Sequence, residues 1–256
     1  MKRIFSILIL LICSSQVKAE CHSASLTIFP SSSSVCQNPI FIIEGYGLSE
    51  DIVTKLNINY PVYLQSGSKK INLLVVEVLE GDLYLTQAIL KPAAELEAGV
   101  EYILLIDSLP KSQPLKAYNP STRTYTPYTY KTLAKKDTEN PVLKSEPKEV
   151  KKVYQHFGCG PAINVVYAFK INDESHVFVK TCVKNTETGK TTTYYLMLLG
   201  GQIRVGQDMC AGAFSLKTGN MFEVTFSFMD ASGNVLPWNG KTLRFARPTP
   251  ENSVEE

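Results

Sequence analysis

The chain has 256 residues, of which 26 are basic and 24 are acidic, so its formal net charge is +2. A balance this close to neutral argues against a nucleic-acid partner, because proteins that bind nucleic acid usually carry a clustered basic excess. Hydrophobic residues make up 44% of the chain. This supply is enough for one large core or for two cores of ordinary domain size.

The N-terminal residues predict an export signal. A short basic segment precedes the apolar run from Ile4 to Ile12, and Val17-Lys18-Ala19 ends in the small residue that a signal peptidase prefers. We expect residues 1–19 to be a signal peptide, whose removal changes the net charge from +2 to −1. The apolar run is shorter than the ~20 residues that span a bilayer, and no later run approaches that length, so we expect no membrane span.

The expected location is periplasmic or extracellular. Attachment of a lipid to Cys13 is the alternative, but the bulky Ile12 precedes it where a lipoprotein signal needs a small residue. No usable N-glycosylation acceptor occurs, since Asn119 is followed by Pro120. This absence favours a bacterial cell envelope over a glycosylating secretory pathway.

After residue 20, short runs rich in Ile, Leu, Val and Tyr alternate with turn residues, and this pattern predicts short strands. Glu80-Gly81-Asp82 predicts a tight hairpin between two of these strands. The predicted strands are Ser25–Phe29, Ile40–Glu44, Lys55–Leu64, Lys70–Val78, Leu83–Leu90 and Tyr102–Ile106.

Tyr125, Tyr128 and Tyr130 lie in a segment rich in Tyr and Thr. On a strand, Tyr128 and Tyr130 would share one face and Tyr125 the other. One interpretation is a closing strand with half-buried aromatic rings. The other is an exposed aromatic platform for a sugar or a peptide, since exposed aromatic clusters often bind ligands.

A charged segment from Lys135 to Lys152, with Pro141 and Pro147, predicts a polar crossing from one core to the next. The strands predicted beyond it include Phe222 to Phe228, whose aromatic and valine side chains should face a core together. The predicted strands after the crossing are Ile163–Ile171, His176–Val183, Thr191–Leu199, Ile203–Val205, Phe222–Phe228 and Leu243–Phe245.

A sequence motif that occurs twice divides the chain into two parts. Leu96-Glu-Ala-Gly-Val-Glu-Tyr102 and Leu216-Lys-Thr-Gly-Asn-Met-Phe222 have the same spacing, and each leads into a strand. The first copy resembles the corner motif of fibronectin type III and related bacterial immunoglobulin-like domains, in which a tyrosine hydroxyl bonds to nearby backbone. The second copy has Phe222 in place of the tyrosine, so there we expect the packing without that bond.

The resemblance implies an all-β fold of two immunoglobulin-like antiparallel β-sandwich domains in tandem, with a binding or spacer role. The expected boundaries are a first domain at 20–135, a linker at 136–142, a second domain at 143–250 and a polar tail at 251–256.

The cysteines of an exported chain should form disulfides, because the compartments outside the cytoplasm are oxidising. We expect Cys21 and Cys36 to form a disulfide that closes a loop of about 15 residues. In the second domain, Cys159 and Cys210 both lie in turns, and we expect them to pair and to leave Cys182 as a free thiol. Three cysteines allow three pairings, and the sequence does not choose between them.

A zinc site is the alternative use of the same residues. His156 and the three cysteines Cys159, Cys182 and Cys210 are ligands of the kinds that zinc takes. Their spacing follows no zinc motif, and export favours disulfides, so we expect no metal and no cofactor.

No enzyme motif occurs: the sequence has no nucleophile elbow, zinc-protease helix, phosphate loop or dinucleotide-binding loop. We therefore expect a non-catalytic, exported binding or spacer module with a protein or glycan partner in the cell envelope. The alternatives are an envelope hydrolase or inhibitor of another type, and a subunit of a surface assembly. A hydrolase would show a concave pocket with convergent titratable groups, whereas an assembly subunit would offer an exposed edge strand.

Overall fold

The structure is a computed structural model that describes residues 24–119 and 121–254. The predicted signal peptide, Cys13 and Cys21 lie outside these residues. The described chain is nearly all β, with the short helix α1 (Glu50–Thr54). We call residues 24–135 the first half of the chain and residues 136–254 the second half.

The first half contains ten strands. They are β1 (Ala24–Phe29), β2 (Ser34–Val35), β3 (Phe41–Gly47), β4 (Val62–Ser66), β5 (Lys69–Glu80), β6 (Leu85–Pro92), β7 (Glu101–Ile106), β8 (Ala117–Asn119), β9 (Thr124–Thr126) and β10 (Thr129–Thr132).

The second half contains eight strands. They are β11 (Val142–Phe157), β12 (Gly160–Asn172), β13 (Val177–Asn185), β14 (Thr191–Met197), β15 (Gln202–Gln207), β16 (Met221–Asp230), β17 (Val235–Leu236) and β18 (Leu243–Ala246).

Strand β5 joins the two layers of the first half. It pairs with β4 through residues 69–72 and with β6 through residues 73–80, and its register shifts between Val75 and Glu77. One layer is β1-β3-β6-β5 and the other is β5-β4-β7-β10-β2. Alternate apolar side chains of both layers, such as Ile43, Leu90 and Leu104, meet in one core. This half is therefore a β-sandwich.

The second half is also a sandwich. The sheet β11-β12-β15 faces the sheet β14-β13-β16-β17, to which β18 is added by pairing with β16. The predicted inward face of β16 is confirmed, since Phe222, Val224, Phe226 and Phe228 are all buried in the core. Phe222 stacks on Phe245 with ring centroids 5.3 Å apart. Trp238 lies edge-on to Phe226 at the rim of this core.

Both copies of the repeated motif form a corner before a strand. Leu96 and Leu216 are buried, and Gly99 and Gly219 have φ values of 75° and 87°. A side chain on the second glycine would also meet Asn185, since a Cβ atom there would lie 2.5 Å from its Nδ2. Glycine is therefore required at this turn.

The expected hydroxyl bond is present in the first corner. Tyr102 is fully buried, and the Glu97 amide N–H donates to its hydroxyl oxygen over 3.3 Å. Phe222 takes the same place in the second corner without such a bond.

The prediction that the whole charged segment from Lys135 to Lys152 crosses between the cores is wrong for its second part. Residues 133–141 carry no strand, but β11 begins at Val142 and pairs with β12 along its length. It is an edge strand on which Lys144 and Lys148 are exposed, and its register shifts around Pro147. An edge strand tolerates both charge and proline because one of its sides needs no partner.

The strand predicted over Lys55–Leu64 is also wrong in part. Residues 50–54 form α1, a turn follows, and β4 begins only at Val62. Acidic residues in the first turn and an Asp51–Lys55 ion pair of 2.6 Å favour the helix. A helix of one turn is too short to show its period in the sequence.

A third apolar cluster joins the two halves. Ile42 and Ile89 from the first half pack against Phe178, Tyr195 and Met229 from the second. The strands that carry these residues are therefore buried on both faces, one toward their own core and one toward the other half.

We predict that Tyr102→Phe lowers the free energy of unfolding by about 0.5–1.5 kcal/mol, because it removes one buried hydrogen bond and little volume. Urea unfolding monitored by circular dichroism measures this change. Tyr84→Phe is the control, since Tyr84 is 58% exposed. Equal stability of the Tyr102 variant and the wild type would show that the corner bond contributes nothing.

Candidate functional site

The three predicted platform tyrosines do not form one exposed surface. Tyr130 is 2% exposed, packs edge-on against Phe41, and donates its hydroxyl to the Pro30 carbonyl oxygen over 3.2 Å. Burial raises the pKa of Tyr130 far above its ordinary value. The residue belongs to the core because β10 closes the second layer of the sandwich.

Tyr125 is exposed and pairs with a residue that the sequence analysis did not select. It lies opposite Tyr118 on the β8-β9 hairpin, with ring centroids 5.2 Å apart. The exposed fractions are 53% for Tyr118 and 66% for Tyr125. Tyr118 belongs to the same stretch rich in Tyr and Thr, so composition was the signal that could have found it.

Tyr118 and half-buried Tyr128 line one groove, which we call the aromatic groove. It has a volume of about 640 Å³. Its other walls are mixed. Ile28, Phe29, Ala117, Pro127 and Tyr130 give apolar surface, and polar groups come from Thr27, Ser31–Ser33, Asn119, Thr126 and Thr129. Burial raises the pKa of Tyr128. Aromatic faces beside hydroxyl and amide groups suit a ligand with both apolar and hydrogen-bonding surfaces.

A second cavity lies between the two halves, and we call it the junction cleft. It has a volume of about 510 Å³ and its walls come from β1, β3, β6, β12, β14, β15 and the loop after β15. Gln87 crosses the junction here: its amide donates to the Tyr195 carbonyl oxygen over 2.8 Å, and its oxygen accepts from the Tyr195 N–H over 3.0 Å.

Glu44 is a titratable group of the junction cleft whose pKa is shifted, as are those of Tyr194 and Tyr195 on the same walls. Its Oε2 accepts hydrogen bonds from the Tyr194 hydroxyl over 2.9 Å and from the Gln87 amide over 3.2 Å. Burial raises the pKa of Glu44 above its ordinary value, and the two hydrogen bonds oppose that rise. Sequence patterns could not select Glu44, because its environment is made by residues distant in the chain: Gln87 in its own half and Tyr194 in the other.

Cys36 is a buried free thiol, 8% exposed, which differs from the predicted disulfide with Cys21. Its side chain turns toward the second half and makes a hydrogen bond with Ser232. Burial is the main cause that raises the pKa of the Cys36 thiol.

Cys182 is a free, partly exposed thiol on β13. Cys159 lies in the turn between β11 and β12, and Cys210 lies in the loop after β15. The pairing of Cys159 with Cys210 stays a prediction for non-reducing peptide mapping.

The described residues do not bring three of His156, Cys159, Cys182 and Cys210 within ligand distance of one another. They do gather Asp137, Asp173 and Asp230, whose carboxylate oxygens lie within 4.8 Å of one another. The last of these is fully buried and accepts from the Asn234 N–H and amide over 2.8 and 2.7 Å. Burial raises its pKa. Hydrogen bonds within the loops thus account for the arrangement of these aspartates.

Within residues 24–119 and 121–254, no helix has the length and apolar character that a membrane crossing requires.

No family model matches the sequence, and no curated protein matches it. Solved structures give weak likenesses. Pullulanase type I from Bacillus subtilis str. 168 complexed with maltose has a TM-score of 0.25 at 11% identity, over 89% of this chain and 25% of that one. Pullulanase complexed with maltotriose from Anoxybacillus sp. LM18-11 has a TM-score of 0.23 at 9% identity, over 82% and 24%.

Tandem Ig repeats of Dlar have a TM-score of 0.23 at 11% identity, over 86% of this chain and 96% of that one. The chain spans about a quarter of the length of the pullulanases. At these TM-scores the likenesses say nothing about ligand or activity.

We predict that the free energy of unfolding of Glu44→Gln increases relative to that of the wild type as the pH rises. A raised pKa means that the folded state favours the neutral carboxyl, so the stability from Glu44 is lost as the pH rises through that pKa. Glutamine stays neutral throughout. Urea unfolding at pH 4, 6 and 8 measures the difference.

The exposed Glu146→Gln is the control for this series. A stability difference between wild type and Glu44→Gln that is the same at all three pH values would show that Glu44 ionises as freely in the folded state as in the unfolded state.

We predict that iodoacetamide labels Cys182 before Cys36 in the folded protein, and labels Cys36 only after denaturation. Cys36 is buried and burial raises its pKa, so little reactive thiolate is accessible. Peptide mass mapping of timed samples measures the order. Recovery of a Cys21–Cys36 linked peptide without reductant would restore the predicted disulfide.

Proposed function

We propose that the chain is a non-catalytic, exported binding module of the bacterial cell envelope, built from two immunoglobulin-like β-sandwich domains in tandem. The domains would span residues 20–135 and 143–250. The two separate cores support this division, since each is formed almost entirely by strands of one half.

The observation that carries the binding role is the exposed ring pair Tyr118 and Tyr125, of which Tyr118 also lines the aromatic groove. Large exposed aromatic rings are costly to leave in water, and two of them side by side on a hairpin mark an interaction site. The hairpin stands away from the cores, so the rings do no packing there.

The lining of the groove favours a glycan over an apolar partner. Hydroxyl and amide groups of Asn119 and the Ser31–Ser33 segment surround the aromatic faces and offer both donors and acceptors. Sugar rings present C–H faces to aromatic side chains and hydroxyls to such polar groups. A protein partner is the competing outcome of the test.

We predict that Tyr118→Ala and Tyr125→Ala each weaken glycan binding by roughly tenfold or more, since truncating a central aromatic contact costs about 2 kcal/mol. Affinity electrophoresis in gels that contain soluble envelope polysaccharides, together with co-sedimentation with purified peptidoglycan, measures the retention.

Tyr84→Ala is the matched control, because this tyrosine is exposed but lies away from the groove. Retention that is absent for the wild type, or that persists in both hairpin variants, would reject the groove as a glycan site.

A further inference from the structure

We propose that the junction cleft is a second binding site, which takes a neutral, hydroxyl-rich small molecule of sugar size and binds one of its oxygens through the Gln207 amide. This inference does not depend on the aromatic groove, and it rests on four features of the cleft.

The first feature is a buried donor without an acceptor. Gln207 lines the cleft and is 1% exposed. Its Oε1 accepts from the Ser215 hydroxyl over 3.2 Å, whereas its Nε2 has no partner among the described residues. A buried amide group without a hydrogen-bond acceptor is costly and rare in folded proteins. A small rotation of the side chain would present this donor to a ligand oxygen in the cleft.

The second feature is the rigidity of the backbone around that donor. Gly206 has a φ of 151°, and a Cβ atom there would lie 2.0 Å from the Ile163 carbonyl oxygen. A Cβ atom on Gly212 would lie 2.4 Å from the Gln207 Cβ. Asn164 donates from Nδ2 to the Gln207 carbonyl oxygen over 3.0 Å. Close packing thus fixes the backbone that carries the Gln207 side chain before a ligand arrives, which lowers the entropic cost of binding.

The third feature is an acceptor from the other half. Both hydrogen bonds of Glu44 within the described residues go to Oε2. Its Oε1 is therefore the atom that accepts from a ligand. Because a hydroxyl donates and accepts at the same time, a hydroxyl-rich molecule serves both Glu44 and Gln207.

The fourth feature is the balance of the walls. Phe29, Leu85 and Leu196 give apolar surface, and the ionisable side chains are of both signs, with Arg204 and the acidic residues Glu44 and Asp208 on the same walls. A volume of about 510 Å³ lies within the range of small-molecule sites. These walls favour a neutral ligand over an anion or a cation.

The test uses the full mature chain and named probes: glucose, N-acetylglucosamine and sucrose, with glucuronate and glucosamine as charged counterparts. Two-dimensional NMR follows the Gln207 side-chain amide and the backbone amides of Gly206 and Gly212 during titration into the millimolar range. We expect at least one neutral probe to shift these signals saturably, and the charged probes to bind at least tenfold more weakly.

Gln207→Met preserves size and removes the donor, so it should weaken binding by tenfold or more. Glu44→Met removes the acceptor and should weaken binding in the same way, measured by the same NMR titration. Gln65→Met, on the far strand β4, is the control and should bind like the wild type. If no neutral probe shifts the Gln207 amide, or if binding survives Gln207→Met, the proposal is wrong.

The two sites are separable in this design. Tyr118→Ala should leave cleft binding unchanged. Absence of polysaccharide retention in the wild type, with intact cleft binding, would reject only the aromatic groove. Equal binding of glucuronate and glucose would overturn the inference that the ligand is neutral.

Discussion

The paired hydrogen bonds between the Gln87 side chain and the Tyr195 backbone hold the arrangement of the two halves. A side-chain amide here replaces a strand partner, giving one donor and one acceptor to a peptide group that would otherwise be buried without either. Separation of the halves would break both bonds and would expose Ile42, Ile89 and Phe178 to water. The junction cleft exists only while this contact holds, since its walls come from both halves.

Charged pairs surround the Gln87–Tyr195 contact. They constrain the orientation of the two halves more than they add to the free energy of unfolding. Lys180 and Glu77 are joined by bonds of 2.7 and 2.9 Å, and each remains about a third exposed. Such pairs contribute little in water, because solvent screens them. Asp82 is more buried and accepts from Lys190, Thr192 and the Ser215 N–H, all in the second half. One carboxylate with three donors fixes the rotation of one half against the other.

Local patterns predicted most of the long strands and the two corners, because these depend on nearby residues. The alternation in β16 and the spacing from Leu96 to Tyr102 are properties of a few consecutive positions. Contacts between halves have no such period. A signal for them was nevertheless present: Phe41-Ile42-Ile43, Ala88-Ile89-Leu90 and Val177-Phe178-Val179 are apolar at every position and are buried throughout. A strand with one solvated face alternates, so unbroken apolar triplets indicate a face covered by another layer.

Residues with chemical roles were harder to predict because burial, which decides those roles, is set by distant parts of the chain. Tyr130 and Tyr125 look alike in the sequence, yet one lies in the core and the other on a hairpin in solvent. Gln207 lies on a strand as a polar residue that would ordinarily face water, and it is buried because Gly206 and Gly212 let the next loop close over it. Two tightly packed glycines around a buried amide thus mark a place where the fold leaves a hydrogen-bond donor without a partner among the described residues. Such a place persists only where two well-formed cores, or a ligand, offset the loss.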